Sequence, residues 1–250
     1  MKMKVSDFLE HLNKTIDGSM SKAVVDNHKH FVFVGNNLIT SNDDVVFVRK
    51  TNFEFSGVPD VGINATDLLK FMSKIKTKEV SIEFTKEEMQ ASFAKDRMGI
   101  KWHNVKESFF DKSINTLISA VDFDEFERIE LPQDFIGALR LANSCTANDR
   151  LNDATASVHF NENYVEATDN FQIARYQFDN FDFQSSFLIP SFIVSIIIKN
   201  EPKYMVFLKD DSRIYFMDEE MQTIFGCRTF GNEFYPIDAV SYTHLRAHET

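Results

Sequence analysis

The 250-residue chain contains little glycine and little proline, with 8 Gly and 5 Pro against 26 Phe. A chain this rich in phenylalanine belongs to neither the low-complexity nor the disordered class. It also has no G-x-G-x-x-G motif. Two glycine pairs have the P-loop spacing, but Gly62 is followed by Ile63-Asn64 and Gly231 by Asn232-Glu233, where Lys-Ser/Thr is required. The sequence therefore argues against a dinucleotide-binding or P-loop enzyme.

Positive charge is also scarce, because 27 Lys and Arg face 38 Asp and Glu, for a net charge of -11 and a pI near 5.1. Proteins that coat nucleic acid by bulk attraction depend on many Lys/Arg–phosphate contacts, so this class is disfavoured. The argument concerns the whole surface. A locally basic surface on an otherwise acidic protein is compatible with the same net charge.

Cysteine pairs and long apolar runs are missing as well. Cys145 and Cys227 lie far apart and form no CxxC pair, which favours a reduced intracellular compartment. The N-terminus, Met1–Val5, leads into a polar segment and not into a signal-peptide core. The longest apolar run, Phe192–Ile198, is too short to span a bilayer. We therefore expect a soluble, cytoplasmic protein without a membrane partner.

The last ten residues, Ser241–Thr250, differ abruptly in composition from the rest of the chain. They resemble a translated sequencing-adapter read-through. We interpret them as a non-native tail and expect that a third domain is missing from the chain. His244 and His248 are four residues apart, but Leu245 stands where a zincin motif needs Glu, so no metal site is predicted here.

The chain contains a long internal repeat. Leu38–Phe47 aligns with Tyr164–Ile173, 126 positions further along, and each segment reads as a strand, an Asp/Asn corner and a second strand. Asp7–Leu12 likewise aligns with Asp134–Leu139, and both read as the start of an amphipathic helix. The remaining matches pair Gly62–Met72 with Leu188–Ile198, and the predicted strands Glu79–Phe84, Met89–Ala94 and Arg97–Trp102 with Tyr204–Leu208, Arg213–Met217 and Gln222–Cys227.

Each copy therefore reads helix, strands, helix, strands. The period far exceeds the roughly 20–50 residues of a solenoid repeat. It predicts an α+β protein with two tandem domains, 1–125 and 126–240, each with two helices packed on antiparallel sheet. The boundary falls near Val121–Glu127, where no Gly/Ser-rich linker occurs, so we expect a rigid join with continuous sheet.

The polar faces of the predicted helices lean basic in an otherwise acidic chain. Ser191, Ser195 and Lys199 mark one such face at i, i+4 and i+8. Lysine on a helix face is ordinarily surface decoration. Recurrence in both copies favours a positively charged lining instead. The candidate residues are Lys14, Lys70 and Lys74 in copy one and Arg140 and Lys199 in copy two.

The repeated unit resembles that of the DNA sliding clamps, specifically the bacterial-type beta clamp found in bacteria and many of their viruses. Val165–Ala174 is similar to the Val-Ala-Thr-Asp-Gly-His-Arg-Leu-Ala segment of the family's middle domain. Arg150–Asp153 stands where the family has Tyr-Leu-Asn-Gly, and Phe230–Pro236 is similar to its Gly-Arg-Phe-Pro. Asn170-Phe171-Gln172 replaces the usual Gly-His-Arg, which puts the peptide specificity in doubt, and Tyr235 adds a residue before Pro236.

The resemblance implies a homo-oligomeric ring that encircles duplex DNA without sequence preference, with helices lining the hole. A ring holds DNA by encirclement, so it needs only a modest basic lining and can be acidic outside. The resemblance implies a dimer if a third domain is present and a trimer if there are two. It also implies a processivity factor for the replicative DNA polymerase, loaded by an ATP-dependent clamp loader, with no catalysis and no cofactor of its own.

The resemblance further implies an apolar pocket that docks peptides of the polymerase and the loader. Leu151 and Ile173 would supply apolar walls and Pro236 a rigid edge. The alternative is that these are plain core residues. The residues at matching positions are Leu151, Thr168, Asn170, Phe171, Ile173 and Pro236.

Two other classes remain as alternatives. The first is a non-catalytic viral structural or assembly protein built from a duplicated α+β domain. The second is an enzyme, but no metal-site or catalytic-triad spacing links its candidate groups, and Asp at a strand corner is usually a turn former. Those candidates are Asp43, Asp44, Asp169, His28, His30, His103 and His159.

Overall fold

The computed structural model describes residues 1–20, 26–53, 60–105, 110, 112–119, 127–148, 152–207, 213–231 and 234. The chain divides into two compact units. Unit 1 comprises Met1–Leu131 and Asn200–Arg228, and unit 2 comprises Pro132–Lys199 and Thr229–Thr250. The last strands of the second repeat, within Asn200–Arg228, therefore pack with the first repeat. The tail 241–250 and most of the expected boundary segment lie outside the described residues.

The described residues contain five α-helices: α1 (Val5–Thr15), α2 (Ala65–Ser73), α3 (Lys112–Ser119), α4 (Phe135–Asn143) and α5 (Ser191–Asn200), with short 3-10 helices at Ile16–Gly18 and Asp26–Lys29. The sequence predicts two helices per copy, and α1, α2, α4 and α5 match them. Helix α3 is an addition to that prediction. It buries Ile114 and Leu117, which lie i, i+3 apart on one face of a short, polar segment.

The strands form three antiparallel sheets, which with the helices give the predicted α+β class. They are β1 (Lys2–Lys4), β2 (His30–Val34), β3 (Asn37–Ser41), β4 (Val45–Lys50), β5 (Val61–Asn64), β6 (Glu79–Phe84), β7 (Glu88–Phe93), β8 (Asp96–Lys101), β9 (His103–Asn104), β10 (Arg128–Glu130), β11 (Ser157–Asn161), β12 (Tyr164–Thr168), β13 (Ile173–Gln177), β14 (Phe187–Pro190), β15 (Tyr204–Phe207), β16 (Arg213–Met217) and β17 (Thr223–Arg228).

Unit 1 contains two of the sheets. One has the order β1-β6-β7-β8, and the other has nine strands in the order β10-β15-β16-β17-β4-β3-β2-β5-β9. The nine-stranded sheet joins strands of both repeats through the antiparallel pair β17–β4, in which Phe225 lies opposite Phe47. Their rings stack with centroids 4.9 Å apart. The repeats are therefore connected by continuous sheet.

The cores explain the phenylalanine content. In unit 1, Phe8 and Leu12 of α1 and Leu68 and Met72 of α2 are buried in one cluster with residues of β2, β5 and β6. In unit 2, the sheet β13-β12-β11-β14 packs against a group of aromatic rings in mutual contact. These rings belong to Phe135, Phe160, Phe178, Phe183 and Phe187. Edge-to-face and offset pairs of this kind add to the stabilisation by burial.

Candidate DNA-facing helices and docking corner

In unit 1, α1 and α2 are neighbours, and the three predicted lysines lie exposed near their C-terminal ends. Lys14 lies in the last turn of α1, Lys70 in the last turn of α2, and Lys74 caps α2. Cations at this end of a helix interact favourably with its dipole. The start of α2 is fixed by Asn64, whose side-chain oxygen accepts from the Asp67 N–H at 3.1 Å. Both helices therefore carry exposed cations at their C-terminal ends.

In unit 2, α4 and α5 are connected by hydrogen bonds between small polar side chains. Asn143 Nδ2 donates to Ser195 Oγ at 3.3 Å, and Thr146 Oγ1 donates to Ser191 Oγ at 3.0 Å. Residue numbers rise along α4 as they fall along α5, so the two helices run antiparallel.

This geometry brings the two predicted cations of unit 2 to one end of the helix pair. Arg140 lies one turn before Asn143, and Lys199 lies one turn after Ser195. Both side chains are exposed. Apolar Ile193, Val194 and Ile197 are buried on the opposite face of α5, which confirms the helix face predicted from sequence. Asn143 and Thr146 were not singled out from the sequence. Asn143 lies three residues after Arg140 and therefore beside it on α4, which was the available signal for that residue. Thr146 lies beyond the end of α4, and the sequence gave no signal for it.

The Asp/Asn corner between β12 and β13 is held by its own side chains. Asp169 Oδ1 accepts from the N–H groups of Phe171 at 2.9 Å and Gln172 at 2.7 Å. Those backbone hydrogen bonds, from Gln172 first, lower the pKa of the Asp169 carboxyl. The buried Thr168 Oγ1 accepts from the N–H of Asn170 at 3.0 Å, and Asn170 has a left-handed φ of 75°. The corner is thus an ordered turn, and Asp169 is its turn former.

This corner presents apolar side chains to solvent. Phe171 is 94% exposed and Ile173 is 46% exposed. An exposed aromatic on an ordered turn is a feature of interaction sites. Of the six expected pocket residues, Thr168 is buried and accepts a hydrogen bond within the turn. Asn170, Phe171 and Ile173 form the exposed corner. Leu151 and Pro236 lie outside the described residues. The pocket itself remains a prediction.

A cluster of buried polar groups around Arg49 in unit 1 was not predicted. Arg49 is 5% exposed. Its Nε donates to His11 Nδ1 at 2.9 Å, and its terminal nitrogens contact Asp218 at 3.2 Å, Glu10 at 3.3 Å and the hydroxyl of Thr223. Burial, and next the charge of Arg49, lowers the pKa of His11. The cluster connects α1 and β4 of copy one with the β16–β17 connection of copy two.

A second polar network crosses β11, β12 and β13 in unit 2. His159 Nδ1 lies 2.8 Å from Glu166 Oε1, and His159 Nε2 lies 2.8 Å from Ser186 Oγ. The sequence did not predict this chain of hydrogen-bonded Glu166, His159 and Ser186, because it forms only when His159 lies opposite Glu166 on the neighbouring strand. Arg175 Nε holds the other oxygen of Glu166 at 2.7 Å, and the ring of Phe234 stacks on His159 at 4.6 Å. The network thereby satisfies a buried carboxylate across three strands.

Two further candidate groups, His30 and His103, lie in unit 1. The rings of His30 and His103 meet edge to face with centroids 4.3 Å apart, and the His103 ring lies so close to Gly62 that an added Cβ would be 2.6 Å from its Nε2. Cys145 and Cys227 are buried free thiols, and burial raises the pKa of Cys227 to about 12. In the part of the chain that the structure describes, no three His, Cys, Asp or Glu residues are grouped to hold a metal ion, and no helix is long and apolar enough to cross a membrane.

Solved structures share this architecture, although no protein-family model and no curated protein matches the chain. A putative DNA polymerase III beta subunit from Eubacterium rectale superposes with a TM-score of 0.76 and 15% identity, over 95% of this chain and 67% of the other. The DNA polymerase III beta chain from Streptococcus pneumoniae superposes with a TM-score of 0.75 and 14% identity, over 95% of this chain and 66% of the other. A sliding clamp from Bartonella birtlesii, bound to griselimycin, superposes with a TM-score of 0.78 and 12% identity, over 96% of this chain and 67% of the other.

The chain spans about two thirds of the length of these structures. The expected resemblance is thus confirmed at the level of fold, including the tandem α+β repeat with helices on antiparallel sheet. The chain has the fold of the bacterial DNA polymerase III beta sliding clamps.

Proposed function

We propose that the chain acts as a DNA sliding clamp, a non-catalytic processivity factor whose ring encircles duplex DNA and tethers the replicative polymerase. The observation that carries the proposal is the clamp fold over about 95% of the chain. It is supported by exposed cations on helix pairs in both units, in a protein of net charge -11. Encirclement accounts for that combination, because a ring retains DNA without the many phosphate contacts that ordinary binding needs.

The helix pairs suit contact without sequence preference. Lysine, arginine, serine and asparagine side chains contact phosphates, and such contacts position a duplex without reading its sequence. Only Lys14, Lys70 and Lys74 in unit 1 and Arg140 and Lys199 in unit 2 are proposed as the charged contacts. A small set of cations predicts weak binding to linear DNA and a shallow salt dependence.

The docking corner is proposed to receive a peptide of the polymerase or of an ATP-dependent clamp loader. Support comes from the exposed Phe171 and Ile173 on an ordered turn. The peptide specificity is expected to follow the altered Asn170-Phe171-Gln172 sequence, in which a neutral amide and an aromatic ring replace the family's cation and imidazole. Such a corner favours apolar over acidic side chains in the docked peptide.

Topological loading tests the proposal directly. The full-length protein, with its third domain if one is encoded, is incubated with a clamp loader, ATP and nicked circular duplex DNA, and retention at high salt is compared before and after the circle is linearised. Retention on the circle that disappears on linearisation is expected. No retention under any loading condition would overturn the proposal and favour the assembly-protein alternative. A turnover abolished by Asp169→Ala in a folded chain would favour the enzyme alternative.

The DNA-facing residues are tested by salt dependence. Replacing Lys70 and Lys74 with Gln is expected to weaken binding to short duplexes. The slope of log K against log salt should become shallower by about 0.9 for each lysine–phosphate interaction that the substitutions remove. The matched control is Lys86→Gln, which removes an exposed lysine from the turn between β6 and β7. Equal effects of the control and the helix variants would refute the assignment.

A further inference from the structure

A cavity of about 260 Å³ lies in unit 2, where strand β11 begins beside the N-terminus of helix α5. Ser157, the first residue of β11, lies opposite Pro190, the residue that precedes α5. The Ser191 N–H donates to the carbonyl oxygen of Ala156 at 2.9 Å, which holds the strand against the first turn of the helix. All four residues line the cavity. The cavity therefore borders the end of a helix that favours negative charge.

Ser157 brings to this cavity a hydroxyl group that has no hydrogen-bond partner. The residue is 1% exposed, and its Oγ contacts no donor or acceptor among the described residues. Buried hydroxyl groups in folded proteins are nearly always hydrogen-bonded, because an unpaired one costs stability. Since Ser157 lines the cavity, a ligand there can accept the hydrogen bond that the protein does not supply.

The start of α5 differs from the start of α2, its equivalent in copy one. An α-helix begins with N–H groups that have no partner within the helix. In α2, the side chain of Asn64 accepts from the Asp67 N–H at 3.1 Å, and Asp67 adds negative charge to the first turn. In α5, Pro190 stands at the repeat position of Asn64 and has no side-chain acceptor, and the first turn contains no acidic residue. An acceptor from outside the helix would therefore be stabilised at the end where Ser157 offers its donor.

The rest of the lining indicates the chemical class of the ligand. Pro190, Phe192 and Phe230 give the cavity apolar walls, which suit an aromatic or hydrocarbon body. Asp153 also lines the cavity, and its negative charge disfavours a polyanion such as a DNA backbone. The volume lies just below the roughly 300–1,000 Å³ of pockets for drug-sized ligands. These features fit a small molecule that carries one carboxylate on an apolar body.

We propose that this cavity binds a small monocarboxylate with an apolar body. One carboxylate oxygen accepts the hydrogen bond of Ser157 Oγ, and the N-terminus of α5 stabilises the negative charge. The apolar body contacts Phe192 and Phe230. The ligand thereby supplies to α5 the acceptor that Asn64 supplies to α2. The proposal does not rest on the clamp function, and it is tested without a clamp loader.

Benzoate is the probe, and benzamide, which has the same ring without the charge, is its matched comparison. Binding to the full chain is measured by saturation-transfer NMR and by the rise of the thermal midpoint with ligand concentration. We expect benzoate to bind with a dissociation constant on the order of 1 mM, as suits so small a ligand. Benzamide should bind about tenfold more weakly, because hydrogen bonds to charged groups are the stronger ones. Ser157→Ala should weaken benzoate binding about tenfold and should not lower the midpoint of the ligand-free chain, because it removes an unpartnered hydroxyl.

Ser185→Ala removes an exposed hydroxyl of the same unit and is the matched control, which should bind benzoate like the unmodified chain. Pro190→Asn gives α5 the capping residue that α2 has, so it should abolish benzoate binding. Folding of each variant is checked by circular dichroism. No binding of benzoate, equal binding of benzamide, or undiminished binding by folded Ser157→Ala or Pro190→Asn would each overturn the proposal. Displacement of benzoate by a short DNA duplex would also overturn it, because the cavity would then belong to a DNA-binding surface.

Discussion

Replacing Arg49 with methionine removes the centre of the buried polar cluster while keeping most of the side-chain volume. The change leaves His11 Nδ1 without its donor at 2.9 Å and Asp218 Oδ2 without its cation at 3.2 Å. The side chain of Asp218 is only 12% exposed, so water replaces little of the missing interaction. The interaction with Glu10 adds little, because that carboxylate is 62% exposed.

The structure sets the expected magnitude. Removing one partner of a buried ion pair costs about 3–5 kcal/mol. Asp218 keeps two backbone hydrogen bonds to its Oδ1, from Gln222 N–H at 2.8 Å and Thr223 N–H at 3.0 Å. These bonds stabilise the carboxylate that remains, so we expect a loss near the lower end, about 3 kcal/mol. In a unit of this size that corresponds to a fall in Tm on the order of 10 °C.

Urea unfolding followed by the fluorescence of Trp102, the only tryptophan of the chain, reports on unit 1. A lower midpoint at an unchanged slope is the expected result, since the slope reports the surface exposed on unfolding. The control is Lys2→Met, which removes an ion pair between two largely exposed side chains, Lys2 and Glu79. A midpoint shift for Arg49→Met no larger than that of the control would refute the reasoning.

Four further substitutions test individual residues. Because the pKa of His11 is lowered in the folded chain, the unfolded chain takes up the proton first as the pH falls. The stability of unit 1 should therefore be full above the ordinary histidine pKa of about 6.5 and should decrease below it. His11→Gln should flatten that part of a plot of urea midpoint against pH. Gly226→Ala should destabilise the fold by about 1–3 kcal/mol, because an added Cβ would lie 2.4 Å from the Tyr215 ring. Gly137→Ala should raise the thermal midpoint, because Gly137 lies in helix α4 and an added Cβ would meet nothing within 4 Å. Midpoint shifts of the same sign for both variants would contradict this account of the packing. Asp169→Ala should speed amide exchange at Phe171 and cause only a small loss of global stability, because the group is exposed; unchanged exchange would show that the carboxylate does not hold the corner.

Much of the element order was readable from the sequence. The strand Glu79–Phe84 and the helix faces of α2 and α5 follow from side-chain periodicity, which depends only on local geometry. The Asp/Asn corner was readable for the same reason, because an Asx turn is made by neighbouring residues. Helix α3 was missed although Ile114, Leu117 and Ile118 stand at i, i+3 and i+4, because eight residues cover little more than two turns and have no equivalent in the repeat pattern.

The buried clusters were not readable. Arg49 meets Asp218 and Thr223 across a junction between strands about 170 positions apart in the chain, a distance over which no sequence pattern repeats. His159 looked like an isolated histidine because Glu166 faces it only once β11 and β12 pair. The hydrogen bonds between α4 and α5 likewise depend on how the two helices lie against each other.

The sequence by itself determined the duplicated α+β unit, the acidic surface with basic helix faces, and the ordered corner that carries Phe171, because each is a property of neighbouring residues or of composition. The tertiary structure alone decided which strands are shared between the repeats and which are left at an edge. Strand pairing is a long-range contact, and the sequence pattern of a strand does not show whether it is buried like β4 or ends its sheet, as β13 does among the described residues.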